Sequence, residues 1–372
     1  MKKIYIDYNA STPIAPEVVD AMRSFLTDHY GNPSSNHWAG IPAKEAVEQA
    51  RCKVADLLGC LPEEIIFTSG GTESNNHAIK GVFFNNQSKG NHIITTAIEH
   101  PAVIQPCRFL ERLGAEVTYL PVDETGMIDS GDVRKAITSH TILVSIMHAN
   151  NEVGTIQPIE DISHITRERE ILFHTDAAQS VGKIPTRVSD LGVDLLSLAG
   201  HKVYAPKGVG ALYIRQGVQL EPFIHGAGHE SGHRAGTENV ILNVGLGTAC
   251  GLAQSWIGMM QVKELQDLFW DKLVEEFGDR VVLNGHPRER LPNTLNVSFV
   301  GMSGADILSK LEGVAASTGS ACHEDSVELS PVLKAMDIQE ELGMGAIRFS
   351  LGRSTTKSEI EYVIDQLKLV IG

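Results

Sequence analysis

Ser197-Leu198-Ala199-Gly200-His201-Lys202 is the stretch on which the fold and its chemistry depend. Residues 193–198 are predicted to form a buried strand that runs into a glycine turn and ends at Lys202. An ammonium group at the buried end of an apolar strand is costly unless it is paired or becomes neutral. A solvated lysine at the surface is an equally good interpretation of this hexapeptide alone, so the remaining sequence has to decide.

Size and charge exclude several classes of protein. A chain of 372 residues can bury a full core and is long enough for about two domains. Its 31 basic and 46 acidic residues give a formal net charge of −15 without any Lys/Arg-rich run. Direct binding to nucleic acid or to a membrane is therefore not expected, and a basic protein partner suits this surface better. The sequence contains neither a signal-peptide core at residues 1–7 nor the ~18 consecutive apolar residues of a membrane span.

The cysteines indicate a reducing compartment. Their number is odd and no two form a C-x-x-C pair: Cys52, Cys60, Cys107, Cys250 and Cys322. This pattern argues against a disulfide framework and against a structural zinc site. The sequence predicts a cytoplasmic protein with free thiols.

Strand-like segments alternate with helical periods, which predicts an α/β fold with a mostly parallel, seven-stranded sheet. The seven strands are predicted at residues 64–68, 92–96, 116–120, 142–147, 171–175, 193–198 and 210–214. In the last hundred residues, strands and helices are mixed without the regular alternation of the preceding region. We expect a large domain over residues 15–257, and a smaller α+β domain formed by residues 1–14 with 258–372.

Two further groups follow predicted strands of the large domain. Ser-Gly-Gly-Thr-Glu-Ser-Asn at residues 69–75 joins a strand to a helix, and free N–H groups at such a turn can bind a phosphate. Asp176 ends another strand, where its carboxylate can face a pyridinium nitrogen, and Gln179 lies one helical turn on. Taken alone, the 69–75 turn and Asp176 can each be interpreted as an ordinary helix cap. Together with Lys202, however, they predict a pocket for pyridoxal phosphate (PLP), the cofactor that such a lysine binds.

Other candidates also lie near predicted strand ends. His100 can stack over a PLP ring and move protons, or can simply cap a helix before Pro101. Asn150 and Asn151 supply amide groups in what is otherwise a turn. Arg348, on a strand, can hold a substrate carboxylate by a bidentate pair, although most such arginines form surface ion pairs.

Cys322 is the candidate nucleophile. It lies in a run of small residues beside His323, and little regular pattern is seen from there to Ser330. A loop of that length is usually functional or disordered, and an exposed thiol on it suits nucleophilic chemistry. The histidines that recur at every fourth position are separated by glycines, so no metal site is expected at His225, His229 and His233.

These motifs together resemble the cysteine desulfurases, which are class V, fold-type I PLP enzymes. The resemblance covers essentially the whole chain, in order, and its motifs are Asp7-Tyr8-Asn9-Ala10-Ser11-Thr12-Pro13, Gly31-Asn32-Pro33-Ser34-Ser35, the Thr-Ser-Gly-Gly-Thr-Glu-Ser-Asn anion turn at residues 68–75, Glu99-His100, Asn150-Asn151-Glu152, Asp176-Ala177-Ala178-Gln179, Gly200-His201-Lys202, Arg234-Ala235-Gly236-Thr237, Ser317-Thr318-Gly319-Ser320-Ala321-Cys322 and Arg348-Phe349-Ser350. The sequence after Cys322 is similar to the branch of the family whose long cysteine loop reaches acceptor proteins.

The resemblance implies roles for cofactor-binding residues. Lys202 would form the Schiff base with PLP, Asp176 would hold the ring nitrogen and Gln179 the ring oxygen, and His100 would stack on the ring. The phosphate contacts that it implies come from Gly71, Thr72, His201 and, in a homodimer, Thr237 of the second subunit. One position departs from the family pattern. Ala199 stands where many members have serine, which removes an expected phosphate hydroxyl.

The implied reaction converts L-cysteine to L-alanine. Asn151 and Arg348 would hold the substrate carboxylate, and Cys322 would accept the sulfur as a persulfide for a protein acceptor such as a cluster scaffold or thiolation enzyme. Iron–sulfur cluster assembly and nucleic-acid thiolation share this half-reaction, so both remain open. So do selenocysteine cleavage, transamination and a non-catalytic sulfur-relay scaffold. No resident metal is expected, although Cys322 as a transient ligand of a shared iron–sulfur cluster also stays open.

Overall fold

The computed structural model describes residues 3–257, 260–318, 320–323 and 326–372, with the side chains of 320–323, 326 and 327 left out. Its helices are α1 (Pro16–Thr27), α2 (Ile41–Leu58), α3 (Gly71–Asn85), α4 (Pro101–Glu111), α5 (Ser130–Ala136), α6 (Ile159–Glu168), α7 (Val188–Leu191), α8 (Val240–Ala253), α9 (Met260–Phe277), α10 (Gly304–Lys310), α11 (Pro331–Ala335), α12 (Glu340–Gly343) and α13 (Lys357–Ile371). Its strands are β1 (Ile4–Tyr5), β2 (Ile65–Thr68), β3 (His92–Thr96), β4 (Glu116–Leu120), β5 (Thr141–Ser145), β6 (Leu172–Asp176), β7 (Leu195–Ala199), β8 (Gly210–Ile214), β9 (Val281–Asn284), β10 (Thr294–Phe299), β11 (Val314–Ala315), β12 (Ser317–Thr318), β13 (Ser320–His323), β14 (Ser326–Leu329) and β15 (Ala346–Ser350).

The large sheet has the strand order β2-β8-β7-β6-β5-β3-β4, which confirms the predicted seven-stranded architecture. Its strands pair in parallel, except that β8 is antiparallel to both β2 and β7. The carboxyl ends of the other strands therefore meet at one edge of the sheet. We call this the carboxyl edge and define it by the last residues of five strands, Thr68, Thr96, Ser145, Asp176 and Ala199.

The strands of this sheet are apolar on both faces because helices cover both. Successive residues of a strand point to opposite faces, so Leu143 and Leu195 pack in one core cluster while Val144 and Leu196 pack in the other. The clusters fix the strand register from both sides. The carboxyl edge is consequently a rigid base for the groups that follow it.

A second, antiparallel sheet has the order β12-β15-β10-β9, and β1 pairs in parallel with β11 nearby. Its core cluster combines Ile4 and Ile6 with residues from α9 onward, such as Phe269, Phe299 and Phe349. The shared cluster supports assigning the two ends of the chain to one domain. The division into residues 15–257 and 1–14 with 258–372 stays a prediction, and its boundary falls on residues 258–259, outside the described ones.

One local expectation is wrong. In place of the irregular loop expected after Cys322, the backbone of β13 pairs with β14 as an antiparallel hairpin, with Cys322 opposite Val327. Short strands rich in small and polar residues leave no hydrophobic alternation in the sequence, so main-chain pairing of this kind cannot be seen there. Among the described residues, no helix combines the length and apolarity that membrane crossing requires.

Candidate active site

A cavity of about 430 Å³ lies at the carboxyl edge. Its volume is in the range of small-molecule sites. It brings together most of the predicted site residues, which come from six separate parts of the chain: Gly71, Thr72, His100, Asn151, Asp176, Gln179, His201, Lys202 and Arg348. Parallel strand ends explain this convergence, since β2, β3, β5, β6 and β7 each deliver at least one of these residues a few positions after the strand ends.

Lys202 ends the short 3-10 turn that follows β7. Its Nζ donates hydrogen bonds to the main-chain oxygens of Asn9 (2.5 Å) and Ala10 (2.9 Å), and no ion pair of the described residues includes it. Burial, and secondly the cationic Arg348, lower the pKa of Lys202 to about 8. About a tenth of the amine is therefore unprotonated at pH 7, far more than for an ordinary lysine with a pKa of about 10.4, and this favours a nucleophilic lysine.

The turn that carries Lys202 is fixed by the N-terminal segment. Thr12 N donates to His201 O (2.9 Å), and Tyr204 N donates to Thr12 Oγ1 (2.9 Å). Tyr204 has a left-handed backbone, with φ of 65°, which costs conformational energy in a bulky residue. These contacts hold the strained turn in place, so Lys202 faces the cavity from a defined position.

Asp176, at the end of β6, is buried, and its carboxylate oxygens accept hydrogen bonds from uncharged groups. Its Oδ1 accepts from Ala178 N (2.9 Å) and its Oδ2 from Asn75 Nδ2 (2.6 Å). No cation of the described residues pairs with it. Asn75, on α3, is a positioning partner that the sequence did not reveal, because nothing in its own neighbourhood links it to residue 176.

Gln179 lies one turn beyond Asp176 and is held at both ends of its amide. Its Nε2 donates to Asn9 O (2.9 Å), and its Oε1 accepts from Lys183 Nζ (2.8 Å). Asn9 thus contacts both Lys202 and Gln179. Neither Asn9 nor Lys183 had a role assigned from sequence.

The predicted anion turn opens α3 at Gly71, where free N–H groups and the positive end of a helix dipole coincide. A Cβ at Gly71 would lie 3.2 Å from the Cβ of Ala199, so glycine keeps this corner open. Glu73 accepts from Ser69 N (2.9 Å) and pairs with Arg234 (2.9 Å). Burial raises the pKa of Glu73, but these hydrogen bonds outweigh it and lower the pKa overall.

Two histidines face the cavity as neutral rings. His100 caps α4, its Nδ1 accepting from Ala102 N (3.0 Å), and it also lines the cavity. Burial lowers the pKa of His100 despite the nearby Asp176. Burial and the neighbouring Lys202 lower the pKa of His201 to about 4. With Nδ1 of His100 used as an acceptor, its proton is on Nε2.

Arg348 projects from β15 of the second sheet. Its Nη2 pairs with Asp7 Oδ1 (2.7 Å), and its Nη1 donates to Asn151 O (3.0 Å). Its Nε has no hydrogen-bond partner among the described residues. The guanidinium is thus oriented by Asp7, Asn151 and Ser317, and these contacts leave two of its five N–H donors for a ligand.

Of the two remaining predicted site residues, one lies outside the cavity. Thr237 lies exposed in the loop before α8 and is not among the lining residues. For Cys322 the backbone is described as part of β13, but its side chain lies outside the described residues. The three loop histidines do not converge: His225 pairs with Glu221, His229 accepts from Gly236 N, and His233 lies near His77.

The cavity fits pyridoxal phosphate. A half-buried lysine, without a carboxylate partner among the described residues, offers the amine. Asp176 offers a buried carboxylate that accepts from uncharged donors. The neighbouring amide oxygen Asn75 Oδ1 has no hydrogen-bond partner in the described part of the chain, so this part of the pocket has unused hydrogen-bonding capacity. The helix terminus at Gly71 offers N–H groups for a phosphate. Amine, carboxylate and anion site are the three groups that this cofactor needs.

Comparisons with known proteins agree with this chemistry. The model of the family "Aminotransferase class-V" matches residues 4–363. A protein of Dictyoglomus turgidum named cysteine desulfurase IscS is 52% identical over 374 residues, covering 100% of this chain and 95% of the relative. A solved structure described as a NifS-like protein is 39% identical, with a TM-score of 0.93 and 99% of both chains covered. Another, described as SspA in complex with cysteine, is 41% identical, with a TM-score of 0.84 and coverage of 94% of this chain and 98% of the other. The chain therefore belongs to the cysteine desulfurases, PLP-dependent enzymes of the class-V aminotransferase family.

Proposed function

We propose that this chain converts L-cysteine to L-alanine, takes up the sulfur as a persulfide on Cys322, and passes it to an acceptor protein. The observation that carries the proposal is the convergence of Lys202, Asp176, His100 and Arg348 on one cavity. These groups suit an amino-acid substrate that reacts with PLP. Asp176 offers a carboxylate to the pyridinium nitrogen, Lys202 offers an amine, and Arg348 offers a guanidinium to the substrate carboxylate.

The cofactor would be held at three points. Lys202 would bind its aldehyde carbon, Asp176 and Gln179 would contact the ring nitrogen and ring oxygen, and the helix terminus at Gly71 and Thr72 would bind the phosphate with His201. When bound, PLP supplies an electron sink that stabilises negative charge on the substrate carbons. Ala199 offers no hydroxyl at this site, so the phosphate depends more on main-chain N–H groups.

The protein groups then orient the substrate and move protons. Arg348 binds the cysteine carboxylate, steered by its contacts to Asp7 and to the main chain of Asn151. The Lys202 amine, with its pKa lowered to about 8, takes the proton from the Cα atom. His100, which carries its proton on Nε2, is placed to exchange protons with the substrate.

Cys322 completes the reaction. Its thiolate attacks the sulfur of the substrate, an S–S bond forms, and the C–S bond breaks with its electron pair staying on carbon. A proton added to that carbon yields alanine. The products L-alanine and a cysteine persulfide account for all atoms of L-cysteine and the Cys322 thiol, without an external oxidant or reductant.

We place this enzyme in the cytoplasm as a homodimer. The described cysteines Cys52, Cys60, Cys107 and Cys250 are free, which fits a reducing compartment. Thr237 is exposed on one protomer, which leaves it available to reach the phosphate site of a second. The acidic surface favours a basic face on the acceptor, which is a cluster scaffold or a thiolation enzyme.

Single-turnover mass analysis tests the proposal. The PLP-loaded protein is mixed with L-cysteine without oxygen, and wild type is compared with Cys322→Ala and, as a matched control, Cys52→Ala at an exposed cysteine. We expect one added sulfur and one alanine in wild type and Cys52→Ala, and neither in Cys322→Ala. Alanine release without sulfur on the protein, or equal turnover in Cys322→Ala, would contradict it and favour another PLP reaction.

The dimer is tested separately, by heterodimer complementation. A Lys202→Ala protomer and a Thr237→Ala protomer are mixed, and cofactor binding is counted per dimer. If Thr237 serves the partner's site, the one intact Lys202 site contains the wild-type threonine of the other protomer and binds PLP normally. Weak binding at that site would contradict the assignment.

A further inference from the structure

Lys183 is a second lysine beside the active site, half-buried, and the proposed function gives it no task. It lies four residues after Gln179, and its Nζ donates to Gln179 Oε1 (2.8 Å) and to Asn9 Oδ1 (3.1 Å). No ion pair among the described residues involves it. Burial, and secondly the cations Lys202 and Arg348, lower the pKa of Lys183 well below that of an ordinary lysine. Placing an amine here is costly, and a compensating use of its hydrogen bonds is expected.

The two partners of Lys183, Asn9 and Gln179, are hydrogen-bonded to each other, and Asn9 also contacts Lys202. Asn9 O accepts from both Lys202 Nζ (2.5 Å) and Gln179 Nε2 (2.9 Å). Lys183 closes this network by donating to the side-chain oxygens of Asn9 and Gln179. Asn9 Nδ2 in turn donates to Thr294 Oγ1 of the second sheet (2.8 Å). One amine is therefore linked to two residues of the cavity wall.

An amide has a donor end and an acceptor end of nearly equal shape, so something must decide which end faces a ligand. An amine carries at least two N–H groups whether it is charged or neutral, so Lys183 can donate to two oxygens in either state. An oxygen of Gln179 directed to Lys183 leaves the NH2 group on the opposite side, toward Asn9 O and the cavity.

We propose that Lys183 is a positioning residue that fixes the amide of Gln179 with its NH2 group toward the ring oxygen of the cofactor. The inference rests on the proposed function, since it assumes that PLP occupies the cavity. Without Lys183, the orientation of the Gln179 amide depends on the single hydrogen bond to Asn9 O. The amide then turns more readily and presents its carbonyl oxygen to an oxygen of the cofactor, which is repulsive.

The experiment is a spectroscopic pH titration of the PLP-loaded protein. Lys183→Met keeps the length of the side chain and removes its donors, and Lys89→Met at an exposed lysine is the matched control. The midpoint at which the Lys202-bound chromophore changes should move up by about 1 pH unit in Lys183→Met, because an oxygen without its donor holds the proton on the adjacent nitrogen more tightly. PLP affinity should fall about 5-fold. Lys89→Met should match wild type.

A double-mutant cycle separates positioning from charge. If Lys183 acts through Gln179, adding Lys183→Met to Gln179→Leu shifts the midpoint no further. An equal additional shift in that background, or an unchanged midpoint in Lys183→Met, overturns the proposal. Thermal unfolding checks that the variants fold, and Lys183→Ala replaces Lys183→Met in the same cycle if that variant does not.

A failure of the proposed function gives a different spectroscopic result from a failure of the role proposed for Lys183. It would appear as the absence of a chromophore in wild type, or as a chromophore that persists in Lys202→Ala. An unchanged midpoint in Lys183→Met beside a normal, Lys202-dependent chromophore in wild type overturns only the role of Lys183.

Discussion

Two walls of the cavity are built in different ways. The sheet wall, defined by His100, Asp176 and Lys202, follows strands β3, β6 and β7 and rests on the main-chain hydrogen bonds of the large sheet. The junction wall consists of Asn9 and Arg348, with Asp7 paired to Arg348 behind the cavity lining. It joins the N-terminal segment to the second sheet by a main-chain bridge at Ser350 and, beside it, by side chains, above all the Arg348–Asp7 pair. We infer that changes in the sheet wall affect chemistry, whereas changes in the junction wall affect stability and substrate placement.

The largest effect should come from the sheet wall. Lys202→Ala removes both the amine that binds PLP and the base, so kcat should fall by about 10⁴-fold. The protein should still fold, because the acceptors of Lys202 are carbonyls near the cavity that water can reach. Steady-state kinetics and far-UV circular dichroism measure the two quantities. If Lys202→Ala retained turnover, Lys202 would have no part in the chemistry at the sheet wall.

The next effect should come from the junction wall. Asp7→Asn leaves Arg348 without its counterion in a largely buried pair, with side chains 10% and 16% exposed, so the free energy of unfolding should drop by about 3 kcal/mol. Asp20→Asn breaks the surface pair with Arg23, 72% and 74% exposed, and should cost less than about 0.5 kcal/mol. Urea denaturation of the cofactor-free proteins provides both values. Equal losses would mean that the junction wall does not depend on this pair.

A pH effect tests the sheet wall alone. Because the pKa of Lys202 is lowered to about 8, the rate at which the cofactor-free protein forms its Lys202 adduct with PLP should rise with pH through about 8. The unfolded chain binds more protons between that value and the ordinary lysine pKa of about 10.4, so stability without cofactor should also rise with pH across this interval. Lys202→Met should lose the part of this increase that comes from Lys202, whereas Lys183, whose pKa is also lowered by burial, keeps its own part. A midpoint near 10 in the adduct-formation rate would show an amine that behaves as if solvent-exposed.

The smallest effect concerns the corner between Gly71 and Ala199. Ala199→Ser adds a hydroxyl to the cavity lining, where the resemblance to other family members expects one. One hydrogen bond of about 1 kcal/mol corresponds to about 5-fold tighter PLP binding. Equilibrium dialysis against PLP measures it. Weaker binding would indicate that the added oxygen clashes in the crowded corner around Gly71.

The same contrast explains what sequence could predict. Lys202, Asp176 and His100 each follow a buried strand, and the common edge of parallel strands brings such residues together without any knowledge of side-chain contacts. Asp7, Asn75 and Lys183 were given no role, because their partners lie elsewhere in the chain or depend on how an amide is turned. The antiparallel direction of β8 also left no local signal, since its residues are as apolar as those of its parallel neighbours.

The carbonyls that accept from Lys202 belong to the main chain of Asn9 and Ala10. A mutational scan changes side chains and leaves these oxygens in place, so position 10 would score as tolerant even though it helps to hold the reactive amine. An amide-to-ester replacement between Ala10 and Ser11, introduced by peptide ligation, weakens that oxygen as an acceptor without altering any side chain. Sequence variation at this position therefore underestimates what the backbone contributes to catalysis.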